Sequence, residues 1–75
     1  MSVIPFPLAA RRGFVNRHAD IIAGMRPESA ERHLEYQLEI QRQALERRGV
    51  CAEVIAREIS SLRHAIVSTS RMFAA

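Results

Sequence analysis

Three segments of the chain carry apolar residues at intervals of three and four, which is the spacing of one face of an α-helix. They predict helices at about residues 9–24, 27–48 and 52–73. Pro27 suits the first position of the second helix, and Gly49 suits the residue just beyond its end. The pattern therefore predicts the all-α fold class, with a single three-helix domain over residues 9–75.

The same spacing predicts which face of each helix is buried. In the first helix the stripe consists of Phe14, His18, Ile21, Ile22 and Met25, and Val15 widens it. In the second helix it consists of Ala30, Leu34, Leu38, Gln41 and Leu45. In the third helix it consists of Ile55, Ile59, Leu62, Ile66, Thr69 and Phe73. We expect these three stripes to meet in one core.

The second and third predicted helices are long and closely joined. Each has about 22 residues, which corresponds to about 33 Å at 1.5 Å per residue. Only residues 49–51 separate them, and a connection this short places two helices side by side in opposite directions. The sequence thus predicts a long antiparallel helical hairpin, with the shorter first helix covering part of its groove.

Residues 1–8 are predicted to form an extended apolar arm. Pro5 and Pro7 fix their own backbone angles and restrict Ile4 and Phe6 to extended conformations. An apolar arm needs a surface to lie on. It either covers one end of its own helical core, docks into a groove of a partner, or is exchanged between two copies.

The apolar residues exceed what one helical hairpin can bury, which predicts self-association. The surplus comprises the arm and Tyr36, Ile40, Val54, Val67 and Met72. We expect a homodimer, and a closed monomeric bundle is the alternative. The candidate interaction residues are Ile4, Phe6, Tyr36 and Ile40.

Charge is distributed unevenly along the chain. Residues 1–26 hold four arginines against one aspartate, whereas residues 27–75 hold seven arginines and seven glutamates. Arg11, Arg12 and Arg17 are therefore the candidates for contacting an anionic partner. Residues 44–62 have a faint helix-turn-helix pattern, but Glu53 and Glu58 disfavour a helix that enters a DNA groove. Nucleic acid remains the less favoured partner.

Size and cysteine content suggest the cellular setting. The chain has 75 residues and a single cysteine, Cys51, so no disulfide can staple it. A lone cysteine fits the reducing cytoplasm, and the start of the chain has no signal-peptide pattern. No apolar run approaches the roughly 20 residues that span a bilayer. We expect a cytoplasmic protein without membrane contact.

Nothing in the sequence assembles a catalytic, cofactor or metal site. The histidines His18, His33 and His64 fall one in each predicted helix, at spacings that match no metal motif. Cys51 has no glycine-rich oxyanion loop to support acyl transfer. The glutamates of the second helix suit a solvated face. We therefore expect no enzyme activity, no cofactor and no metal.

Four segments resemble a known family. They are VIPFP at 3–7, RRGFV at 11–15, AERHLEYQL at 30–38 and LERRGV at 45–50. Together they resemble a family of small helical proteins of unknown function from alphaproteobacteria, over roughly residues 3–66. The family's pattern has serine- or threonine-like caps where this chain has Arg26 and Cys51. The resemblance implies a short helical bacterial protein and no established activity.

The sequence therefore favours a non-catalytic protein-protein interaction module that self-associates. A small nucleic-acid-associated regulator that uses the basic N-terminal third is the alternative.

Overall fold

The computed structural model of the chain describes residues 7–74, and it describes side chains as far as residue 72. A 3-10 helix at Leu8–Ala10 is followed by three α-helices: α1 (Arg12–Ala23), α2 (Pro27–Arg47) and α3 (Ala52–Ala74). Residues 7–74 contain helices and turns but no strand. The predicted all-α class is confirmed for this part of the chain.

The N-terminal region differs from its prediction. Leu8, which we assigned to the extended arm, begins the 3-10 helix, in which the Ala10 N–H donates to the Pro7 carbonyl at 3.0 Å. Arg11 has φ −81° and ψ 78°, outside the helical region, so the helix predicted from residue 9 is divided into two elements. Only Pro7 of the arm keeps extended angles within the described residues, with φ −57° and ψ 140°.

The two ends of α2 are built differently. At its start, Pro27 occupies the first turn, but Arg26 makes no side-chain capping hydrogen bond. At its end, the Gly49 N–H donates to the Glu46 carbonyl at 3.0 Å, and the Val50 N–H donates to the Leu45 carbonyl at 3.1 Å. These two bonds form a Schellman motif, which requires a left-handed residue. Gly49 supplies it with φ 79°.

The core shows that α1 is rotated relative to the predicted stripe. Val15 and Ala19 have no exposed surface, and His18 and Ile22 are also buried. Ile21 and Met25, which we expected in the core, are exposed. The stripe was drawn through the large side chains, whereas the small side chain of Ala19 allows the neighbouring helices to approach closely. Gly24, which follows α1, has φ −93° and is not in the left-handed region.

The stripes of α2 and α3 agree with the sequence more closely. Leu34, Leu38 and Leu45 of α2 are buried together with Ile55, Leu62 and Ile66 of α3. Residue 73 lies beyond the described side chains.

α3 is the helix that all other elements contact. It packs against α1, α2 and the 3-10 helix, and its contact with α1 is more extensive than its contact with α2. We had expected α1 to cover only part of a groove between two longer helices. Instead, α1 contributes Val15, Ala19 and Ile22 to the same core cluster as the other helices. Arg63 of α3 also reaches across to α2, where it pairs with Glu31 and Glu35.

Candidate functional site

Two histidines join α1 to α2 at the edge of the core. The ring nitrogens His18 Nδ1 and His33 Nε2 lie 3.0 Å apart, which is hydrogen-bonding distance. One of the two nitrogens carries a hydrogen atom and donates a hydrogen bond to the other. Phe14 lies against His18, with a ring centroid separation of 4.4 Å. Burial lowers the pKa of His18, and the nearby His33 and Arg17 lower it further. Burial and these neighbours thus favour the neutral form of His18.

Sequence reasoning missed this histidine pair, although the chain contains a signal for it. His18 lies six residues before Gly24, and His33 lies six residues after Pro27. Two residues at equal distances from a tight turn face each other when the flanking helices run in opposite directions. We had placed His18 in the buried stripe of the first helix and had tested the three histidines together only for a metal motif.

Exposed apolar side chains lie on both sides of the histidine pair. Among the described residues, the large exposed hydrophobic side chains are Ile21 (39%), Met25 (37%), Tyr36 (65%), Ile40 (38%) and Met72 (77%). Ile21 lies on α1, Tyr36 and Ile40 lie on α2, and Met25 lies in the turn between these two helices. We call Ile21, Met25, Tyr36 and Ile40 the apolar seam.

Helical spacing shows that the apolar seam follows the boundary between α1 and α2. On α1, Ile21 lies three residues after His18, close to the same face of the helix, and Met25 follows in the turn that joins α1 to α2. On α2, Tyr36 and Ile40 lie three and seven residues after His33. On α2 the seam extends about 10 Å from the histidine pair, and in the other direction it reaches the turn at Met25.

The structure describes two of the four candidate interaction residues. Tyr36 and Ile40 are exposed, as the predicted surplus requires. Ile4 and Phe6 lie outside the described residues. Val54 and Val67, which we counted in the surplus, pack against the core of their own chain. Among the described residues, the exposed apolar surface therefore lies mainly on α1, on α2 and in the turn between them.

The candidate anion-contacting residues do not share one helix face. Arg11, Arg12 and Arg17 are all exposed, and the four ion pairs found among the described residues involve other arginines. Arg12 and Arg17 are five residues apart, which separates them by about 140° around the axis of α1. Arg11 precedes the helix. The structure gives these three cations free access to solvent, but it does not gather them into one patch.

The charges of α2 are largely satisfied within the fold. Arg42 pairs with Glu39, and its Nη1 donates to Glu46 at 2.7 Å. The hydrogen bond from Arg42 lowers the pKa of Glu39. Arg42 and Glu46 border an open groove of about 360 Å³, lined otherwise by Val50, Ala52, Ile55 and Ala56. Because both charged groups are already paired with each other, this groove presents no free acid or base.

The thiol of Cys51 and the imidazole of His33 lie far apart in the described part of the chain. Cys51 is exposed and follows the C-terminal end of α2, whereas His33 lies in the second turn of that helix. The 14 residues from His33 to Arg47 correspond to about 20 Å of helix. His64 bonds instead to Ser68 at 3.5 Å. Within residues 7–74, no group of three or more histidine, cysteine or acidic side chains is arranged to hold a metal ion.

None of the helices formed by the described residues combines the length and the apolar character that crossing a membrane requires.

The comparison with known families covers nearly the whole chain. Residues 1–73 match the model of a family described as a family of unknown function (DUF6074). The chain belongs to this family. The predicted resemblance to a family without assigned activity is thereby confirmed, whereas the alphaproteobacterial range of DUF6074 stays a prediction. No curated protein and no solved structure matches this DUF6074 chain.

Proposed function

We propose that this DUF6074 protein is a non-catalytic, self-associating helical module of the cytoplasm. In this proposal the apolar seam of one chain packs against the apolar seam of a second copy. The observation that carries the proposal is the position of four exposed hydrophobic side chains, which all flank the His18–His33 contact between α1 and α2. A pair of identical seams is self-complementary, as a two-fold interface requires.

The proposal also includes the long antiparallel hairpin of α2 and α3. Two observations support it. The Schellman motif at Gly49 reverses the chain between the helices, and Val50 folds back onto Leu45. Arg63, midway along α3, pairs with Glu31 and Glu35 in the first half of α2. A hairpin of this kind forms a rigid support for the seam, because its core leucines and isoleucines are buried whether or not a partner is bound.

Size gives a reason for the seam to be covered. A chain of 75 residues buries a modest fraction of its surface, and domains this small often gain stability from association. Isolated exposed hydrophobic residues are ordinary on protein surfaces, but a contiguous line of them marks an interaction site. Tyr36 is the most exposed member at 65%, and tyrosine is among the residues enriched at interface centres.

The experiment that tests this proposal is sedimentation equilibrium at micromolar concentration. We expect about twice the chain mass of 8.5 kDa for the unaltered protein. Tyr36→Glu places a charge in the seam and is expected to weaken association at least about tenfold, which corresponds to about 1.4 kcal/mol. Met72→Glu is the matched control, because Met72 is exposed on α3 outside the seam.

Circular dichroism of both variants shows whether the helices remain folded. A monomeric mass for the unaltered protein would contradict self-association. Equal weakening by Tyr36→Glu and Met72→Glu would show that the contact lies elsewhere than the seam.

A further inference from the structure

We infer that His18 and His33 form a two-ligand chelate for a divalent transition-metal ion that prefers nitrogen, and that zinc fits its geometry best. The ion binds between His18 Nδ1 and His33 Nε2 and replaces the hydrogen bond that joins them. The histidine spacing in the sequence matches no metal motif, because the pair is produced by the packing of α1 against α2. The inference concerns one chain and does not depend on self-association.

The distance between the two nitrogens is close to that of two ligands on one ion. Zinc binds imidazole nitrogens at about 2.0–2.1 Å in a tetrahedral shell, so two nitrogens on the same ion lie about 3.3 Å apart. His18 Nδ1 and His33 Nε2 lie 3.0 Å apart. An increase of about 0.3 Å therefore makes room for the ion.

The two rings also have the separation that a tetrahedral ion requires. Their centroids lie 5.2 Å apart, with an angle of 33° between the ring planes. The centroid of a bound imidazole lies about 3.2 Å from the ion, and the tetrahedral angle then places two centroids about 5.2 Å apart. In the hydrogen-bonded pair the two nitrogens point toward each other. Binding of the ion thus tilts the rings and does not need to separate them.

The neutral imidazole is the form that binds a metal ion, and the fold favours this form at His18. Burial lowers the pKa of His18, and His33 and Arg17 lower it further. In the chelate both facing nitrogens present lone pairs, so His18 carries its hydrogen on Nε2 and His33 carries its hydrogen on Nδ1. The hydrogen that lies between the rings moves to the other nitrogen of its own ring through solvent, and no net proton is released from two neutral rings.

The neighbours of the pair affect how strongly it binds an ion. Phe14 lies against the buried ring of His18 and fixes one half of the chelate, whereas His33 is half-buried and its ring has more freedom to tilt. Arg17 places a positive charge near His18, and this charge weakens the binding of a cation. Among the described residues no third histidine, cysteine or acidic side chain completes a metal site. Water, or a donor atom of a bound molecule, fills the remaining positions.

The test is isothermal titration calorimetry of the unaltered protein with zinc chloride at about pH 7.5, where imidazoles are mostly neutral. We expect one ion per chain. His18→Gln and His33→Gln each remove one ligand and keep a polar side chain, and each should weaken zinc binding at least tenfold. His64→Gln is the matched control, because His64 is exposed and bonds to Ser68 within α3. Magnesium, which prefers oxygen ligands, should not bind.

The inference is overturned if neither His18→Gln nor His33→Gln changes the affinity, or if only one of them does, since a chelate needs both rings. Cys51 is exposed and its thiol is also a zinc ligand, so Cys51→Ser should leave the affinity unchanged. Loss of binding in Cys51→Ser would place the ion at the thiol. One ion for two chains would show that the pair of a single chain is not sufficient. A monomer that binds zinc through both histidines would contradict the proposed self-association and support the chelate, so the two failures are distinguishable.

The charge of Arg17 supplies a measurement that a purely structural role of the histidines would not affect. Arg17→Gln removes the positive charge near His18 and should tighten zinc binding about threefold. Arg12→Gln is the matched control, because Arg12 lies about 140° away from Arg17 around the axis of α1. Binding to Arg17→Gln that is no tighter than binding to Arg12→Gln would contradict the position of the ion between the two rings.

Thermal unfolding provides a check that includes the fold of each variant. Saturating zinc should raise the melting temperature of the unaltered protein by at least about 4 °C, because the ion binds the folded chain. His33→Gln alters a half-buried side chain and should fold, as circular dichroism shows, but its melting temperature should not respond to zinc. An equal rise in His33→Gln and in the unaltered protein would overturn the inference.

Discussion

The His18–His33 contact is the residue-level feature that distinguishes this core from a purely apolar one. His18 is the polar side chain buried among the described core residues, and its hydrogen bond to His33 is a direct polar link between α1 and α2. A neutral imidazole has one N–H donor and one acceptor nitrogen, whereas an imidazolium has two donors. Protonation of His18 therefore places a positive charge at the edge of the core and leaves its Nδ1 able only to donate.

This arrangement predicts that stability depends on pH through His18. Because burial lowers the pKa of His18 below its ordinary value of 6.5, the unfolded chain binds this proton more readily than the folded chain. The contribution of neutral His18 is fully present above pH 6.5 and is lost as the pH falls from there through the lower pKa of the folded state. We expect the free energy of unfolding to decrease between about pH 7.5 and pH 5.

Urea denaturation at several pH values measures this effect. His18→Gln keeps a side chain that can bond to His33 but does not titrate, so its free energy of unfolding should depend less on pH than that of the unaltered protein. His64→Gln is the control, because His64 is exposed and bonds to Ser68 within α3. The same pH dependence in the unaltered protein and in His18→Gln would refute the assignment.

At the scale of elements, the sequence predicted the positions of the helices better than it predicted which face of each helix is buried. The stripes of α2 and α3 could be predicted because large apolar residues mark the faces that these helices bury, and Leu38 and Leu62 are examples. The face of α1 was predicted less well, because one of its fully buried residues is Ala19, which carries little weight in a hydrophobic pattern. The position of the apolar seam depends on this rotation, so the sequence identified Tyr36 and Ile40 but not Ile21 and Met25.

The end of α2 allows a matched test of how its Schellman motif is stabilised. An added Cβ at Gly49 or at Gly13 would meet nothing within 4 Å, so the two positions differ in backbone conformation and not in available space. Gly49 has φ 79°, where an alanine is strained, and Gly49→Ala should lower the free energy of unfolding by about 1–2 kcal/mol. Gly13 lies in the first turn of α1, where alanine favours the helix, and Gly13→Ala should raise it by up to about 1 kcal/mol.

Chemical denaturation of the two variants under identical conditions measures whether each one lowers or raises the free energy of unfolding. If Gly49→Ala and Gly13→Ala shift the unfolding midpoint in the same direction, backbone conformation at Gly49 does not control the end of α2.

At the scale of the whole molecule, charge and apolar surface occupy different places. Residues 27–75 carry equal numbers of arginines and glutamates, and several are paired within the fold. The net charge of +3 therefore comes from the first 26 residues. An anionic partner would meet Arg11, Arg12 and Arg17, whereas an apolar partner would meet the seam. Binding to an anionic partner and binding to an apolar partner are expected to respond differently to salt concentration.

A salt titration of nucleic-acid binding distinguishes an anionic partner from an apolar one. Each phosphate that a protein neutralises contributes about −0.9 to the slope of log affinity against log salt, so three arginines could give a slope of at most about −3. Because Arg12 and Arg17 lie about 140° apart around α1, one duplex cannot engage both from the same side. We expect weak binding to double-stranded DNA at low salt and none at about 0.15 M salt, as measured by fluorescence anisotropy.

Replacing Arg11, Arg12 and Arg17 together by alanine should remove the low-salt binding and leave self-association unchanged. Binding that persists at 0.15 M and disappears in the triple variant would instead favour the nucleic-acid-associated regulator, with α1 and not the apolar seam as its functional surface.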